Sequence, residues 1–413
     1  MNDIAQPTPQ SSRTGPLRGL LVLDFGQAAV GPIAAEYLGM MGATVIKVES
    51  PAGDTVRRGV PTMRGTSTTF LGNNLGKFGI VLDLKKPEDK ERAKRLIAVA
   101  DALIENFRSS EVMVRLGLGY DVLRELNPGL IYVSSSAYGA CGPLENMRSN
   151  EWLTEAFAGF TSVTGAPGTQ GEFSRGSANL DWNGAMVNTV ALLAGLLRRA
   201  RGGGGGYYLT SQLGSSVYGS LSRVAEALVG GMPAGPLGSA AAFTAPDEVF
   251  ATSDGYVAVS AITERCWLRL CTAIGQPGLA EDPRFRDNAA RVSARQELSA
   301  LLAGVFASAT TASWCERLEA ADVPCGAVPQ KMTLLEAFEA NPQIRHHQLL
   351  RRIPSHYGSL ASQAPHWRFA QTPADIDGGP PLQGEHNQIV LENLGSKAEL
   401  LDALEKIRAR ENV

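Results

Sequence analysis

An α/β fold with a parallel sheet, joined to a smaller α+β domain, is predicted by three observations. Strand-like apolar runs alternate with helix-like segments over the first 140 residues. The composition then shifts to Gly, Pro and Ala near residues 228–241, as at a crossing between domains. After that shift comes a turn-and-strand pattern, TSDGYVAVSA, followed by three helical segments. With 413 residues, 44% of them apolar and 19% charged, the chain has core material for two domains.

The elements follow in order. GLLVLDF reads as a buried strand, GPIAAEYLGMMG as a helix stopped by glycine, and ATVIKVE as a second strand. KFGIVLDL is a third strand. The helix PEDKERAKRLIAVA then starts on proline, with acids before bases as the helix dipole favours. DALIENF and GLIYVSSSAYG supply a fourth and a fifth strand. Strand and helix alternating at this spacing predict a parallel sheet covered on both faces, with Rossmann-like crossovers. The first strand runs into GQAAVGP, which lacks the G-x-G-x-x-G turn of a dinucleotide site, so nicotinamide chemistry is not expected. Gly202 to Gly206 follow the helix VALLAGLLRRAR and read as a helix stop plus a flexible link. The helices ERCWLRLCTAIG, ARQELSALLAGVFASA and TASWCERLEAAD belong to the smaller domain.

Other classes are excluded by composition. A formal net charge of −3 gives no electrostatic reason to expect nucleic acid or an anionic membrane. Residues 1–15 are polar, contain two prolines and lack a signal peptide's apolar centre, so a disordered tail is expected. The longest helical apolar stretch, Val187 to Leu197, is about half of what a membrane span needs, and no such span is expected. Cys141, Cys266, Cys271, Cys315 and Cys325 form no CxxC pair, which reads as free thiols in a reducing, cytoplasmic setting. His346, His347 and His386 lack ligand spacing, and no metal site is expected.

Nine segments, in order, resemble the class III CoA-transferases, the family of formyl-CoA and carnitine CoA-transferases and α-methylacyl-CoA racemases. They are PLRGLLVLDFGQAAVGP, GATVIKVESPAGD, NLGKFGIVLDLK, ENF, RLGLGYDVLRELNPGLIYVS, TSDGYVAV, EDPRFRDNAARV, LEAADVPCGAV and GEHN. The resemblance implies a large Rossmann-like domain from residues 16–228 and 331–413 and a small α+β domain from 229–330. It also implies an interlocked dimer, no prosthetic group, and a coenzyme A thioester with a free carboxylic acid as substrates.

It further implies an aspartate nucleophile, and in SANLDWNGAMVNTVALLAGLLRR the matching position is Asp181, counted back from Leu196-Leu197-Arg198-Arg199 without a gap. From the residues alone, an Asp at the start of an apolar helix is a cap served by helix-start N–H groups, and the two roles are compatible. The family's glycine four residues on is Ala185, with Gly184 one place earlier. Matching positions for CoA are Ala28, Ala29, Lys77, Asn106, Phe107, Arg115, Tyr138 and Gly139. Asn106 also reads as a turn former and Phe107 as a core residue. Arg175 is a candidate clamp for a substrate carboxylate, or a plain surface arginine.

Ser50, Leu75, Phe78 and Ser136 stand where the family commonly carries cations, which raises the expectation of a weakened CoA site completed by a homologous subunit. Heteromeric relatives that move CoA from succinyl-CoA to dicarboxylates such as benzylsuccinate are the comparison this suggests; an ordinary homodimer is the other. Racemases of the family place a histidine where Asn150 stands, and asparagine exchanges no proton near neutral pH, so racemisation is not expected.

Overall fold

The computed structural model describes residues 15–172, 179–231 and 234–411. The expected disordered tail therefore falls outside the described residues, save for Gly15. The chain forms two compact units, one from 15–158, 179–221 and 341–411 and the other from 159–172 and 222–340.

The first unit is built on a six-stranded parallel sheet, with two short antiparallel hairpins at 62–67 and 350–363. The parallel strands are β1 (Leu21–Asp24), β2 (Thr44–Glu49), β3 (Phe78–Val81), β4 (Ala102–Glu105), β5 (Ile131–Ser136) and β6 (Gly206–Ser211), in the spatial order β3-β2-β1-β4-β5-β6. The α/β class and the five strands read from sequence are correct. The alternation that makes both faces apolar is literal. Leu21, Leu23, Ile46 and Leu103 point to one core, with Leu96 and Ile97 of helix α2 (Pro87–Val99). Val22, Val45 and Ile104 point to the other, with Ala34 and Leu38 of helix α1 (Val30–Met40).

Two features differ from the sequence reading. The glycines after Arg201 do stop a helix, but they deliver the chain into β6, which pairs with β5 from Ile131↔Gly206 to Ser136↔Ser211. A Cβ on Gly205 would lie 2.5 Å from the Leu130 carbonyl oxygen, so that position is glycine because backbone meets backbone there. The preceding helix spans Asn179–Ala200, 22 residues rather than the short apolar stretch expected, and is long and apolar enough to cross a membrane. It packs as a core helix instead, burying Leu180, Ala185, Leu192 and Leu196 in the first unit.

The chain's last segment closes the sheet's edge. Gly79 N–H donates to His386 Nδ1 (3.0 Å) and Val81 N–H to Asn387 Oδ1 (2.7 Å), so side chains of GEHN satisfy the free backbone of β3. Leu400 and Leu404 of the final helix (Lys397–Glu411) then enter the same core.

The second unit holds a three-stranded antiparallel sheet: β7 (Asp247–Ala251), β8 (Tyr256–Ser260) and β9 (Cys325–Ala327), in the order β9-β8-β7. Trp267, Phe285, Leu302, Phe306 and Trp314 form its core. Arg291 is fully buried there, paired with Glu264 (2.8 Å) and bonded to the carbonyls of Ala245 and Phe285. That accounts for the EDPRFRDNAARV segment as structure.

Asp24, Glu36, Lys47, Asp54 and Lys77 form one buried charged cluster in the first unit. Burial pushes the Glu36 carboxyl up to about 8, against the opposing pull of Lys77 and the Leu75 N–H. Near pH 7 it is therefore protonated, which leaves two carboxylates facing two ammonium groups. The folded state holds this proton more tightly than the unfolded chain does. Its contribution to stability is complete below the ordinary carboxyl range and is lost as pH rises through about 8. Glu36→Gln should flatten this slope: between pH 6 and 9 the wild-type melting temperature should fall more than the variant's, as read by thermal denaturation at matched ionic strength.

Candidate active site

In an open parallel sheet the loops leaving the strands' C-terminal ends gather at one edge, and the strand order here reverses direction at β1. That edge carries Gly26–Ala29 after β1, Asn106 and Phe107 after β4, Tyr138 and Gly139 after β5, and Gln212 after β6. Ala28, Ala29, Asn106, Phe107, Tyr138 and Gly139 are thus brought together by topology.

The turn after β1 is held from beneath. Asp24 Oδ1 accepts the Gly26 N–H (2.8 Å), and Lys47 Nζ donates to the Gly26 carbonyl (2.5 Å) while pairing with Asp54 (2.8 Å). Burial pulls the Lys47 ammonium down, but Asp24 and Asp54 more than offset it and its pKa is raised; burial likewise opposes Asp54, whose carboxyl Lys47 nevertheless holds below its usual range. Asn106 closes the turn reciprocally, accepting from Gln27 N–H (2.7 Å) and donating to the Gln27 carbonyl (2.9 Å). Ala28 adopts φ +62°, a left-handed conformation that costs an L-residue about 1–2 kcal/mol. Its N–H goes to Asp54 Oδ1 and its carbonyl to Asn73 Nδ2, both at 3.0 Å, which offsets that cost. A side chain at Gly26 would meet Pro32 Cδ at 2.8 Å, so the turn admits only glycine there.

Beside this turn lies a cavity of about 270 Å³, walled by Phe25, Val48, Leu82, Phe107, Val112 and Leu116, with Ser50 and Lys85 also lining it. Phe107 is fixed by its own N–H, which donates to Glu105 Oε2 (2.8 Å). Glu105 is fully buried, and burial pushes its carboxyl up to about 7. Arg108 and Arg115 are exposed on the segment that carries Phe107, Val112 and Leu116.

Asp181 lies in the first turn of α3, the label given to the helix Asn179–Ala200. Its Oδ1 accepts from Gln212 Nε2 at 2.6 Å, and Gln212 is buried at the head of the helix after β6. The helix-start N–H groups of Leu180 and Asp181 do not cap on Asp181 itself; both donate to Glu151 Oε1, at 2.9 and 3.3 Å. Gly184, one turn on, faces α1: a Cβ there would be 3.1 Å from Val30 Cγ1. The shifted glycine thus still sits at a close helix contact, and Ala185 is buried in the adjoining core. The Tyr138 and Ser149 hydroxyls are hydrogen-bonded to each other (2.9 Å), and Ser136 Oγ accepts from Gly139 N–H (3.0 Å).

Two expectations need correction. Lys77 is not a surface cation: its ammonium is buried and donates to Asp24, Asn74 and the carbonyls of Pro32 and Asn73, so it supports the β1 turn and offers nothing to a phosphate outside. Burial depresses its pKa despite the attraction of Asp24. Nor do the four neutral positions amount to a stripped binding surface. Leu75, Phe78 and Ser136 are 3%, 1% and 7% exposed, where a charge would be buried rather than presented; Ser50 alone is exposed. Among the described residues, this edge carries the cations Lys85, Arg108 and Arg115. Arg175 lies outside the described residues. Sequence reading missed Gln212 and Glu151, since neither lies near Asp181 along the chain. Asn150 caps the helix Glu151–Phe157 through the Leu153 N–H (3.0 Å).

The profile of CoA-transferase family III matches residues 17–387. Succinyl-CoA:glutarate CoA-transferase of Mus musculus is 30% identical over 393 residues, covering 94% of this chain and 88% of the relative. The beta subunit of succinyl-CoA–L-malate CoA-transferase of Chloroflexus aurantiacus is 30% identical over 400 residues, covering 93% and 95%. Among solved structures, an aspartate-to-alanine mutant of Rv3272 from Mycobacterium tuberculosis superposes with a TM-score of 0.81 at 31% identity, covering 91% of this chain and 99% of that one. With the parallel sheet, the gathered edge and these matches in hand, the chain belongs to the class III CoA-transferases, enzymes whose substrates are coenzyme A thioesters and carboxylic acids.

Proposed function

We propose that this enzyme moves coenzyme A from succinyl-CoA to a dicarboxylic acid, with Asp181 as covalent relay. The observation that carries this is the carboxylate of Asp181 at the sheet's C-terminal edge, gripped by Gln212 at 2.6 Å. The donor and the acceptor class follow from the names of the relatives, two of which pair succinyl-CoA with glutarate and malate.

The steps balance without ATP. An Asp181 oxygen attacks the thioester carbonyl and the CoA thiolate leaves, forming a mixed anhydride. The thiolate then attacks the aspartyl carbonyl, releasing succinate and leaving an aspartyl–CoA thioester. The acceptor carboxylate attacks that thioester, again expelling thiolate and forming a second anhydride. Attack of the thiolate on the acceptor's acyl carbon frees the product and restores Asp181. Splitting the exchange this way replaces one difficult step by several easier ones.

The apolar cavity beside Phe107 suits a flat heterocycle such as the CoA adenine, and Lys85, Arg108 and Arg115 suit its phosphates. This chain therefore binds CoA itself and needs no homologous subunit for that purpose. A second copy is the expected partner: Trp182, Val190 and Leu197 leave an apolar strip of α3 exposed, as an interlocked homodimer requires. Heteromeric assembly retains one support, the beta-subunit name of the Chloroflexus relative. Five free cysteines fit a cytoplasmic setting.

Asp181→Ala should lower exchange between succinyl-CoA and dicarboxylates, glutarate and benzylsuccinate included, by at least ~10³-fold. In the wild-type enzyme, hydroxylamine added during turnover should mark the peptide containing Asp181. Lys85→Ala/Arg108→Ala should raise KM for the acyl-CoA more than about tenfold with kcat little changed, because each charge-assisted hydrogen bond is worth roughly 1.5–3 kcal/mol. Binding of CoA by the singly expressed chain, followed by calorimetry, should be in the micromolar range or tighter; failure there would favour the heteromer. Racemisation should be absent: 2-methylacyl-CoA incubated in deuterated water should gain no enzyme-dependent α-deuterium, since Asn150 is a helix cap.

A further inference from the structure

We infer that Glu151 is a positioning residue for Asp181, an inference that rests on the covalent reading above. A helix start leaves its first N–H groups without partners, and a carboxylate in the first turn is the natural acceptor for them. Asp181 occupies that turn. Were its own side chain to serve those groups, the carboxylate would be folded back on its helix and turned from the edge where substrate is gathered.

Glu151 removes that alternative. Its Oε1 takes both the Leu180 and the Asp181 N–H from outside the helix, at 2.9 and 3.3 Å. The Asp181 carboxylate is instead directed to Gln212 at the end of β6. Glu151 is itself held firmly. It is the first residue of its helix, directly after the capping Asn150, and Asn150's carbonyl accepts from Thr154 Oγ1 (3.0 Å) and Ser149 Oγ (3.0 Å). The Ser149 and Tyr138 hydroxyls are hydrogen-bonded to each other at 2.9 Å. One polar chain therefore runs from Tyr138, at the end of β5, through Ser149 and Asn150 to Glu151 and on to the Asp181 turn. All of these residues lie in the connection from β5 to β6, so the chain ties the Asp181 turn back to the end of β5, and the nucleophile keeps its station relative to the edge where substrate is gathered.

The role assigned is that of an acceptor, so a carbonyl oxygen at the same place should substitute for the carboxylate. In Glu151→Ala the Leu180 and Asp181 N–H groups lose this acceptor, and the Asp181 carboxylate, in the same turn, becomes a competitor for them. Withdrawal of a reacting group by about 1 Å costs on the order of 10²-fold in rate.

The test compares wild type, Glu151→Ala, Glu151→Gln and Asp181→Ala as purified full-length enzymes, assayed for exchange between succinyl-CoA and glutarate, with melting temperatures measured alongside. Glu151→Ala should lose about 10²-fold in kcat with KM for succinyl-CoA within about twofold of wild type. Glu151→Gln should recover kcat to within about fivefold of wild type at a similar melting temperature. Wild-type kcat in Glu151→Ala, or a Glu151→Gln variant that folds and is no better than Glu151→Ala, would overturn the inference. Activity retained in Asp181→Ala would instead refute the covalent reading on which it stands, so the two failures are told apart.

Discussion

The arrangement of this molecule depends on a buried ion network, Asp24–Lys77 at 2.8 Å and Lys47–Asp54 at 2.8 Å, lying under the turn that leaves the first strand. Charges taken out of water are costly, and each is retained only where it is paired and its remaining valences are bonded. That condition is met because the network's spare donors and acceptors are spent on backbone: the Gly26 N–H and carbonyl, the Ala28 N–H and the carbonyls of Pro32 and Asn73. The strained turn is thereby over-determined, and the left-handed Ala28 persists. A hydrophobic substitute for Lys47 would leave Asp54 buried without its ammonium partner and the Gly26 carbonyl without its donor.

From this fixed turn the rest of the edge is aligned. Asn106 couples the β4 loop to the Gln27 backbone, so the loops of adjacent strands keep one geometry. Phe107 and the apolar helix beside it then wall the cavity. On the other side of the sheet order, β6 delivers Gln212 to Asp181, while Glu151 takes the amides at the head of the helix. The proposed catalysis by Asp181 asks for this division: one group to grip the carboxylate, another to take the amides of its helix.

Much of this was legible in the sequence, and what escaped has a physical reason. Five strands were readable because each carries two covered faces, and runs such as LLVLDF and ATVIKVE have no polar alternation to confuse them. The sixth was hidden by the glycines that precede it, a pattern that equally describes a link. Asp181 was singled out as a candidate through its place in a recognisable segment. Gln212 and Glu151 were not, because they lie 31 and 30 residues away and only the fold brings them to it. Lys77 misled for a related cause: its match to a CoA position of the family reads as a ligand contact, and its burial is visible only when Asp24, 53 residues earlier, closes upon it. The neutral Leu75 and Phe78 misled in the same way, since absence of charge there reflects the core rather than a lost ligand site.

The central claim is that Asp181 exchanges an oxygen atom with substrate in every cycle. The acceptor's carboxylate oxygen bridges the second anhydride and stays on the aspartate when the thiolate captures the acyl carbon. Turnover of succinyl-CoA with glutarate labelled with ¹⁸O in its carboxylates, followed by proteolysis and tandem mass spectrometry, reads this directly. The account predicts ¹⁸O in the side chain of Asp181 and in no other residue. An unlabelled Asp181 after many turnovers, or label on a different carboxylate, would contradict it.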